Sequence, residues 1–210
     1  MTRCVLVMLL VTATAHATPA DWAEVEPIPG ADALLVTGDS THVVARIHGS
    51  WFVTTEPLGL MYDLSPAVHR AFDATLLAKQ PAIAIVVESY DGGSGMGTSI
   101  DQLIILCAAK EQLRVCGGID IGRLEWALDG EHRSKFPDGA YSLRKRPHVE
   151  VELEPTLVAP DMLRLAVKRN STIASPDGPW SHETLATMDE LRRSAGLYRL
   201  VGEEFVRIIQ

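Results

Sequence analysis

The stretch SIDQLIILCAAKEQLRVC, residues 99–116, decides the fold because it fits either one helix or two antiparallel strands. Ser99 and Gln102 have the spacing of a helix capping box, and the residues after the apolar run favour helix. The alternative is a strand that turns at Glu111 and Gln112 into a second strand. The two structures place the two cysteines of the stretch at very different distances from each other.

Cys107 and Cys116 distinguish these structures. In a hairpin with Glu111 and Gln112 at its tip, the cysteines oppose each other directly, with Cα atoms about 4.5–5.5 Å apart. That separation suits a disulfide. Along a continuous helix they would lie about 13.5 Å apart, at ~1.5 Å of rise per residue, which no disulfide spans. We therefore predict a β-hairpin that is closed by a Cys107–Cys116 disulfide.

The first segment of the chain has the pattern of a secretory signal peptide. Within MTRCVLVMLLVTATAHA, residues 1–17, the basic Arg3 precedes an apolar run, and Ala15 and Ala17 form the small-residue cleavage pattern. No later segment is long and apolar enough to span a bilayer. We expect a soluble protein exported to the periplasm or the cell exterior, where an oxidising environment favours the disulfide.

Composition suggests how the rest of the chain is organised. Residues 18–32 are rich in Pro, Ala and acidic residues and predict a tether, and residues 33–210 are expected to form a single domain. The net charge of −8 argues against a nucleic-acid partner, because phosphate contacts need clustered Lys and Arg.

Apolar periodicity predicts an α+β fold. Residues 33–56 contain three short β-branched segments separated by turn residues, which indicates a meander of strands. Residues 64–81 and 181–196 have helix caps and amphipathic spacing, with Ser65 and Ser181 as the capping residues. We predict a mainly antiparallel sheet of about eight to eleven strands, or two packed sheets, with two amphipathic helices against it.

The segment HVEVELEPTLVAPDMLRLAVK, residues 148–168, predicts a hairpin in which apolar and charged residues alternate. We expect Val151 to face Leu165 and Glu152 to lie opposite Arg164, so that all the apolar side chains share one face. The glutamates are then interpreted as an ordinary solvated face, because exposed charges contribute little to stability.

The glycine-rich stretch YDGGSGMGTSID, residues 90–101, is similar to a phosphate-binding loop but lacks its chemistry. Gly92 and Gly97 have the right spacing, yet Thr98 stands where the lysine of such a loop must be. Ser94 fails the nucleophile-elbow pattern, since Met96 replaces the second glycine. We predict a connector between two antiparallel strands, without affinity for nucleotides.

Basic residues concentrate in the segment 131–148 of this otherwise acidic protein. Arg144, Lys145 and Arg146 form a candidate site for a partner protein, a glycan or a small anionic ligand. The alternative is a solvated loop without a binding role.

No spacing of His, Cys or carboxylate residues matches a common metal site, so we predict no bound metal and no cofactor. The favoured function is a non-enzymatic binding module. One alternative is a secreted hydrolase that uses Ser94, Asp91 or His182, because catalytic residues converge in space rather than in sequence. Another is a small inhibitor of an enzyme.

Overall fold

The computed structural model of the protein describes residues 24–37, 41–58, 67–92, 96–127, 147–174 and 179–208. These ranges contain twelve strands and two helices. The strands are β1 Glu24–Pro27, β2 Ala33–Thr37, β3 Thr41–Ile47, β4 Ser50–Thr54, β5 Ala67–Asp73, β6 Ala82–Gly92, β7 Met96–Ala109, β8 Gln112–Ala127, β9 His148–Ala159, β10 Met162–Ile173, β11 Gly196–Val201 and β12 Glu204–Ile208. The helices are α1 Thr75–Ala78 and α2 His182–Arg193.

All twelve strands belong to one sheet, so the predicted α+β class is wrong and the protein is mainly β. The strand order is β1-β2-β3-β4-β8-β9-β10-β11-β12, and β5, β6 and β7 join this series through the pairing of β7 with β8. The sheet is mixed, because β4 runs parallel to β8 while the other strand pairs of the described residues are antiparallel.

The first predicted helix is the main error behind the wrong fold class. Residues 67–73 form β5, which pairs with β6, and of the described residues in the predicted helix only the four of α1 are helical. The predicted cap, Ser65, lies outside the described residues. Intrinsic helix propensity contributes only a small free energy per residue. In a short segment, pairing with a neighbouring strand therefore outweighs it.

The second predicted helix is confirmed as α2. The Ser181 hydroxyl oxygen accepts a hydrogen bond from the Thr184 backbone N–H at 3.0 Å, which caps the helix as expected. Met188 and Leu191 are buried in the core. The Thr184 hydroxyl also donates to Glu125 Oε2 at 2.7 Å, and this bond anchors the first turn of α2 to β8.

Strands β6 and β7 bury side chains on both faces of the sheet. In β6, Ala82, Ala84 and Val86 belong to one apolar cluster, together with side chains from β9, β10 and α2. The alternate residues Ile83, Ile85 and Val87 belong to a second cluster, together with side chains from β2 and β3. Burial on both faces explains why these strands appear in the sequence as continuous apolar runs rather than alternating ones.

The hairpin of β7 and β8 confirms the predicted disulfide. Cys107 and Cys116 are bonded, with Cα atoms 5.8 Å apart, and both are buried in the core. The stretch that fitted a helix or two strands is therefore two strands.

The register of this hairpin differs from the prediction. The turn is formed by Lys110 and Glu111, which both have positive φ, at 49° and 69°. It therefore lies one residue earlier than expected, and Cys107 pairs with Arg114. A β-bulge in β8 includes Cys116 and carries it back towards Cys107, so the disulfide forms in spite of the shifted turn.

The predicted hairpin of β9 and β10 is present, but its predicted register is wrong. Glu152 lies opposite Arg169 rather than Arg164. The chain turns at residues 160–161, so both strands continue past the alternating segment, and two register shifts interrupt the pairing. Alternation predicts which residues share a face, whereas the turn and the bulges set which residues oppose each other.

The segment predicted as a tether, residues 18–32, contributes to the sheet. Its residues 24–27 form β1, which pairs with β2, and Ile28 is buried. The predicted signal peptide, residues 1–17, lies outside the described residues. Within the described part of the chain, no helix is long and apolar enough to cross a membrane.

The glycine-rich stretch connects the antiparallel strands β6 and β7, as predicted, although residues 93–95 lie outside the described part of the chain. Gly97 has a packing role, because a Cβ at this position would lie 2.0 Å from the Trp126 ring. Trp126 is buried and also stacks on Tyr90, with ring centroids 5.1 Å apart. A strand, not a helix, follows the glycines, so the geometry of a phosphate-binding loop is absent here.

Candidate functional site

A cavity of about 450 Å³ lies among strands β5 to β10 and is lined largely by charged side chains. Apolar side chains of β6, β8 and β9 form part of its wall. Its acidic lining residues are Glu88, Asp101, Glu152 and Glu154. Its basic lining residues are His69, Arg70, Lys168 and Arg169.

Three of the carboxylates lie in one line across four neighbouring strands. Glu88 of β6 pairs directly with Asp101 of β7, which pairs with Gly122 of β8. Gly122 pairs in turn with Glu152 of β9. Directly paired residues in a sheet point to the same face. We call Glu88, Asp101 and Glu152 the carboxylate row.

Gly122 leaves the space that Asp101 of the carboxylate row occupies. A Cβ at this position would lie 2.5 Å from Asp101 Oδ2 and 2.9 Å from Asp101 Cβ. Real Cβ atoms do not approach other atoms so closely, so any larger residue would displace the aspartate. The absence of a side chain at Gly122 therefore lets Asp101 take its place in the row.

His69 reaches the row from a β-bulge in β5. The pairing with β6 passes from Val68 directly to Arg70, which leaves His69 as the extra residue. Its Nε2 lies 2.8 Å from Glu88 Oε2 and 4.0 Å from Asp101 Oδ1. Bulges commonly redirect a side chain in this way, and they occur often beside functional sites.

The charges around His69 change its titration. Its hydrogen bond with Glu88 raises the pKa of His69 above the usual value, while burial acts in the opposite direction. The negative charges of Glu88, Asp101 and Glu152 raise this pKa further. The imidazole is thus held as a positive charge beside the carboxylates over a wider pH range than a free histidine.

Ser99 fixes the orientation of Glu88. The serine hydroxyl donates to Glu88 Oε1, while Glu88 Oε2 faces His69. The carboxylate thus stands between the hydroxyl and the imidazole, whereas a nucleophilic serine needs the imidazole next to its own hydroxyl. In this arrangement Ser99 positions a carboxylate and is not an activated nucleophile.

Glu152, at the other end of the row, is held by two cations of β10. Lys168 Nζ lies 2.7 Å from Glu152 Oε1, and Arg169 Nε lies 3.3 Å from Glu152 Oε2. The Oε2 atom is nevertheless buried and accepts no hydrogen bond from the residues that the structure describes. The row thus contains a buried carboxylate oxygen with incomplete hydrogen bonding.

Glu154 links β9 to β5 across the cavity. Arg70 Nη1 lies 2.6 Å from Glu154 Oε1, and another Arg70 nitrogen donates to the Pro155 carbonyl at 3.3 Å. Burial raises the pKa of Glu154, but hydrogen bonds from Lys168 and Arg70 outweigh burial and hold the pKa below its usual value. These contacts tie together the two strands on either side of the cavity.

The interpretation of the β9 glutamates as an ordinary solvated face is wrong. Glu150 is only 4% exposed, and its Oε1 lies 3.5 Å from Arg169 Nη1. Glu152 and Glu154 line the cavity. The available signal was the number of carboxylates in one strand, but only the strand register shows that Glu152 lies in line with Glu88 and Asp101.

None of the functional residues predicted from the sequence is among the described residues that line the cavity. Arg144, Lys145 and Arg146 lie outside the described residues, as does Ser94. Asp91 belongs to β6, and His182 is exposed at the first position of α2. The anion site and the hydrolase site therefore stay predictions.

At the level of class, the fold and the site define a mainly β protein with a disulfide-closed hairpin and a charge-lined cavity. Comparison with protein-family models, with curated proteins and with solved structures gives no match for this chain. Any functional inference therefore depends on the geometry of the cavity.

Proposed function

We propose that the protein is an exported, non-enzymatic binding module and that its ligand site is the charge-lined cavity. Two observations support export. Residues 1–17 carry the basic, apolar and small-residue regions of a signal peptide in the right order. The disulfide between Cys107 and Cys116 belongs to a type of bond that persists in oxidising compartments.

The ligand of the cavity carries positive charge. Among the described side chains, five carboxylates line the cavity or pair with its rim: Glu88, Asp101, Glu150, Glu152 and Glu154. Three permanently protonated side chains meet them there, Arg70, Lys168 and Arg169, and protonated His69 adds a fourth positive charge, so the carboxylates remain in excess. This imbalance favours a cation over an anion, because the local potential follows the excess charge.

Size supports a small ligand. Sites for small molecules commonly have volumes of about 300–1,000 Å³, and this cavity of about 450 Å³ falls in that range. An amine, a guanidinium compound or a metal ion meets both the size and the charge. The in-register carboxylate row is the observation that carries this proposal.

A binding role is favoured over serine-dependent hydrolysis because the hydroxyl of Ser99 has a carboxylate, not an imidazole, as its hydrogen-bond partner. The Ser99 hydroxyl donates a hydrogen bond to Glu88 Oε1, and His69 contacts the other oxygen of the same carboxylate. Acyl transfer by a serine requires direct proton transfer from the hydroxyl to the base. The cavity is thus arranged to hold charge rather than to form a covalent intermediate.

Thermal-shift measurements and calorimetry on the disulfide-bonded mature chain test the ligand class. We expect cations such as methylammonium, spermidine and arginine to raise the melting temperature, and phosphate and acetate to leave it unchanged. The variant E88Q/D101N should lose the response. The control E26Q/E204Q removes the same number of charges from exposed positions and should keep it.

An equal response to anions and cations, or an unchanged response of E88Q/D101N, would contradict the proposed ligand class. Export is tested separately by mass spectrometry of the secreted fraction, in which we expect a chain that begins at Thr18. Recovery of intact chain from Met1 in the cytosol would contradict export.

A further inference from the structure

We propose that His69, Glu88 and Asp101 bind a divalent transition-metal ion, with Zn²⁺ the best-matched ion. This inference rests on the proposed function, since it makes the metal ion the positively charged ligand of the cavity.

The geometry of the three side chains suits one small ion. One ligand atom from each residue lies within 4.8 Å of the other two. The His69 Nε2 atom is 2.8 Å from Glu88 Oε2 and 4.0 Å from Asp101 Oδ1. In a tetrahedral zinc site with bonds of about 2.0–2.2 Å, ligand atoms lie roughly 3.3–3.6 Å apart. Small side-chain adjustments bring the observed distances to that value.

The donor set selects the type of ion. Imidazole nitrogen suits Zn²⁺ and other transition metals, whereas Mg²⁺ and Ca²⁺ prefer sites made of oxygen donors only. One imidazole and two carboxylates provide three ligands, which leaves a fourth position for water or for a group of a second molecule. The exposure of the His69 side chain, at 49%, keeps that position accessible from solvent.

Surrounding residues already hold the ligands in place. Ser99 donates to Glu88 Oε1, so the other oxygen of Glu88 is the one directed at His69. Gly122 leaves the space that Asp101 occupies. Hydrogen bonds to the outer atoms of ligating side chains are typical of metal sites, because they fix the orientation of the ligands.

Charge balance supports a divalent ion. Glu88 and Asp101 are directly paired, and like charges at directly opposed positions destabilise a sheet. The five carboxylates of the cavity and its rim exceed the three permanently charged cations by two. A divalent ion supplies this difference when His69 is neutral, which is the form in which histidine binds a metal.

This site has no signature in the sequence. Its ligands lie on three consecutive strands, β5, β6 and β7, and 19 residues separate His69 from Glu88. The prediction of no bound metal depended on short ligand spacings within single segments. Strand pairing and the bulge at His69 bring the three residues together instead.

Isothermal titration calorimetry of the mature chain, after removal of metals with EDTA, tests the site with ZnCl₂ and MgCl₂. We expect one equivalent of Zn²⁺ and at least about tenfold weaker binding of Mg²⁺. H69N and E88Q/D101N should each weaken zinc binding at least about tenfold. H48N should bind zinc like the native chain, because His48 is exposed and Asn tolerates its positive φ.

Co²⁺ absorption provides a second measurement, since visible d–d bands report the coordination of the ion directly. Native chain and H48N should show these bands, and H69N and E88Q/D101N should lose them while keeping the far-UV circular dichroism of the native chain. Absence of zinc binding, or a zinc affinity of H69N and E88Q/D101N equal to that of the native chain, overturns the inference. If organic cations still bind through Glu88 and Asp101, the metal inference fails and the proposed function stands. If neither ligand binds, both fail.

Discussion

The two ends of the β6–β7 hairpin differ sharply in what their paired residues do. In the half of the hairpin that contains Cys107, Val86 pairs with Leu103, and both are buried in the apolar core. Two residue pairs further along the same strands, Glu88 pairs with Asp101 at the cavity. The change from apolar core to two opposed carboxylates therefore takes place within two residues of each strand, about 7 Å.

This difference separates residues that stabilise the fold from residues that cost stability. The apolar end buries side chains on both faces, which is the largest favourable contribution to folding. The charged end opposes like charges, which a sheet tolerates only when other contacts compensate. Residues that lower the stability of the fold in this way are expected at functional sites.

The largest expected effect comes from a cavity at the apolar end. We expect L103A to lower the free energy of unfolding by about 2–5 kcal/mol, the usual cost of truncating a buried leucine. Leu103 is fully buried. Urea unfolding monitored by circular dichroism measures the change.

L76A is the matched control for L103A, because Leu76 is 64% exposed. We expect L76A to change the free energy of unfolding by less than about 0.5 kcal/mol. Similar losses in both variants would show that the apolar end does not dominate the stability of the protein.

Reduction of the disulfide comes next in size. The bond between Cys107 and Cys116 closes a short loop, and the chain-entropy model assigns it about 2–3 kcal/mol. We expect dithiothreitol to lower the melting temperature without abolishing folding. An identical melting temperature with and without reductant, despite free thiols at both positions, would contradict this expectation.

Substitution at Gly122 tests the charged end. We expect G122A to cost about 1–3 kcal/mol, because its Cβ meets Asp101 and forces a local shift. The matched control is G118A, where the nearest atom to an added Cβ is 3.8 Å away. Urea unfolding of both variants measures the difference. Equal effects at Gly118 and Gly122 would mean that the carboxylate row does not depend on the close approach at Gly122.

The smallest expected effect concerns pH. Because the folded chain lowers the pKa of Glu154, its ionised form stabilises the protein above the unfolded pKa of about 4.3. This contribution is lost as the pH falls through the lower pKa of the folded chain. We expect the free energy of unfolding of the native protein to exceed that of E154Q by at most about 1 kcal/mol at pH 7. The effect is small because Glu154 and its partners Arg70 and Lys168 are partly exposed.

Urea unfolding of the native chain and E154Q from pH 7 down to pH 2 measures this difference. The gap between the two proteins should close at the acidic end of the series. A gap that widens as the pH falls would show that the ion pairs of Glu154 with Arg70 and Lys168 do not stabilise the folded chain.

The candidate site was much less predictable than the core. Glu88 follows an apolar run and Asp101 lies two residues before the next one, and a single charge at either position also fits an ordinary strand end. The β9 glutamates alternate with apolar residues, which fits a solvated face equally well. His69 falls in a segment whose apolar spacing fitted a helix. Pairing across strands, which no local pattern specifies, joins these residues into one site.

The sequence by itself determined the features that depend on neighbouring residues. The cap at Ser181 and the amphipathic spacing of α2 specify that helix, because both act within a few residues of the chain. The spacing of Cys107 and Cys116 specifies a hairpin, because a helix would hold the cysteines too far apart.

Only the tertiary structure decided the strand character of β5, the registers of the two hairpins and the cavity. β5 is a strand because it pairs with β6, and its bulge at His69 exists only within that pairing. The register of β9 against β8 places Glu152 in line with Gly122 and therefore with Asp101. Register depends on turns, bulges and packing between segments far apart in the chain, so the charge arrangement of the cavity follows from the assembled sheet.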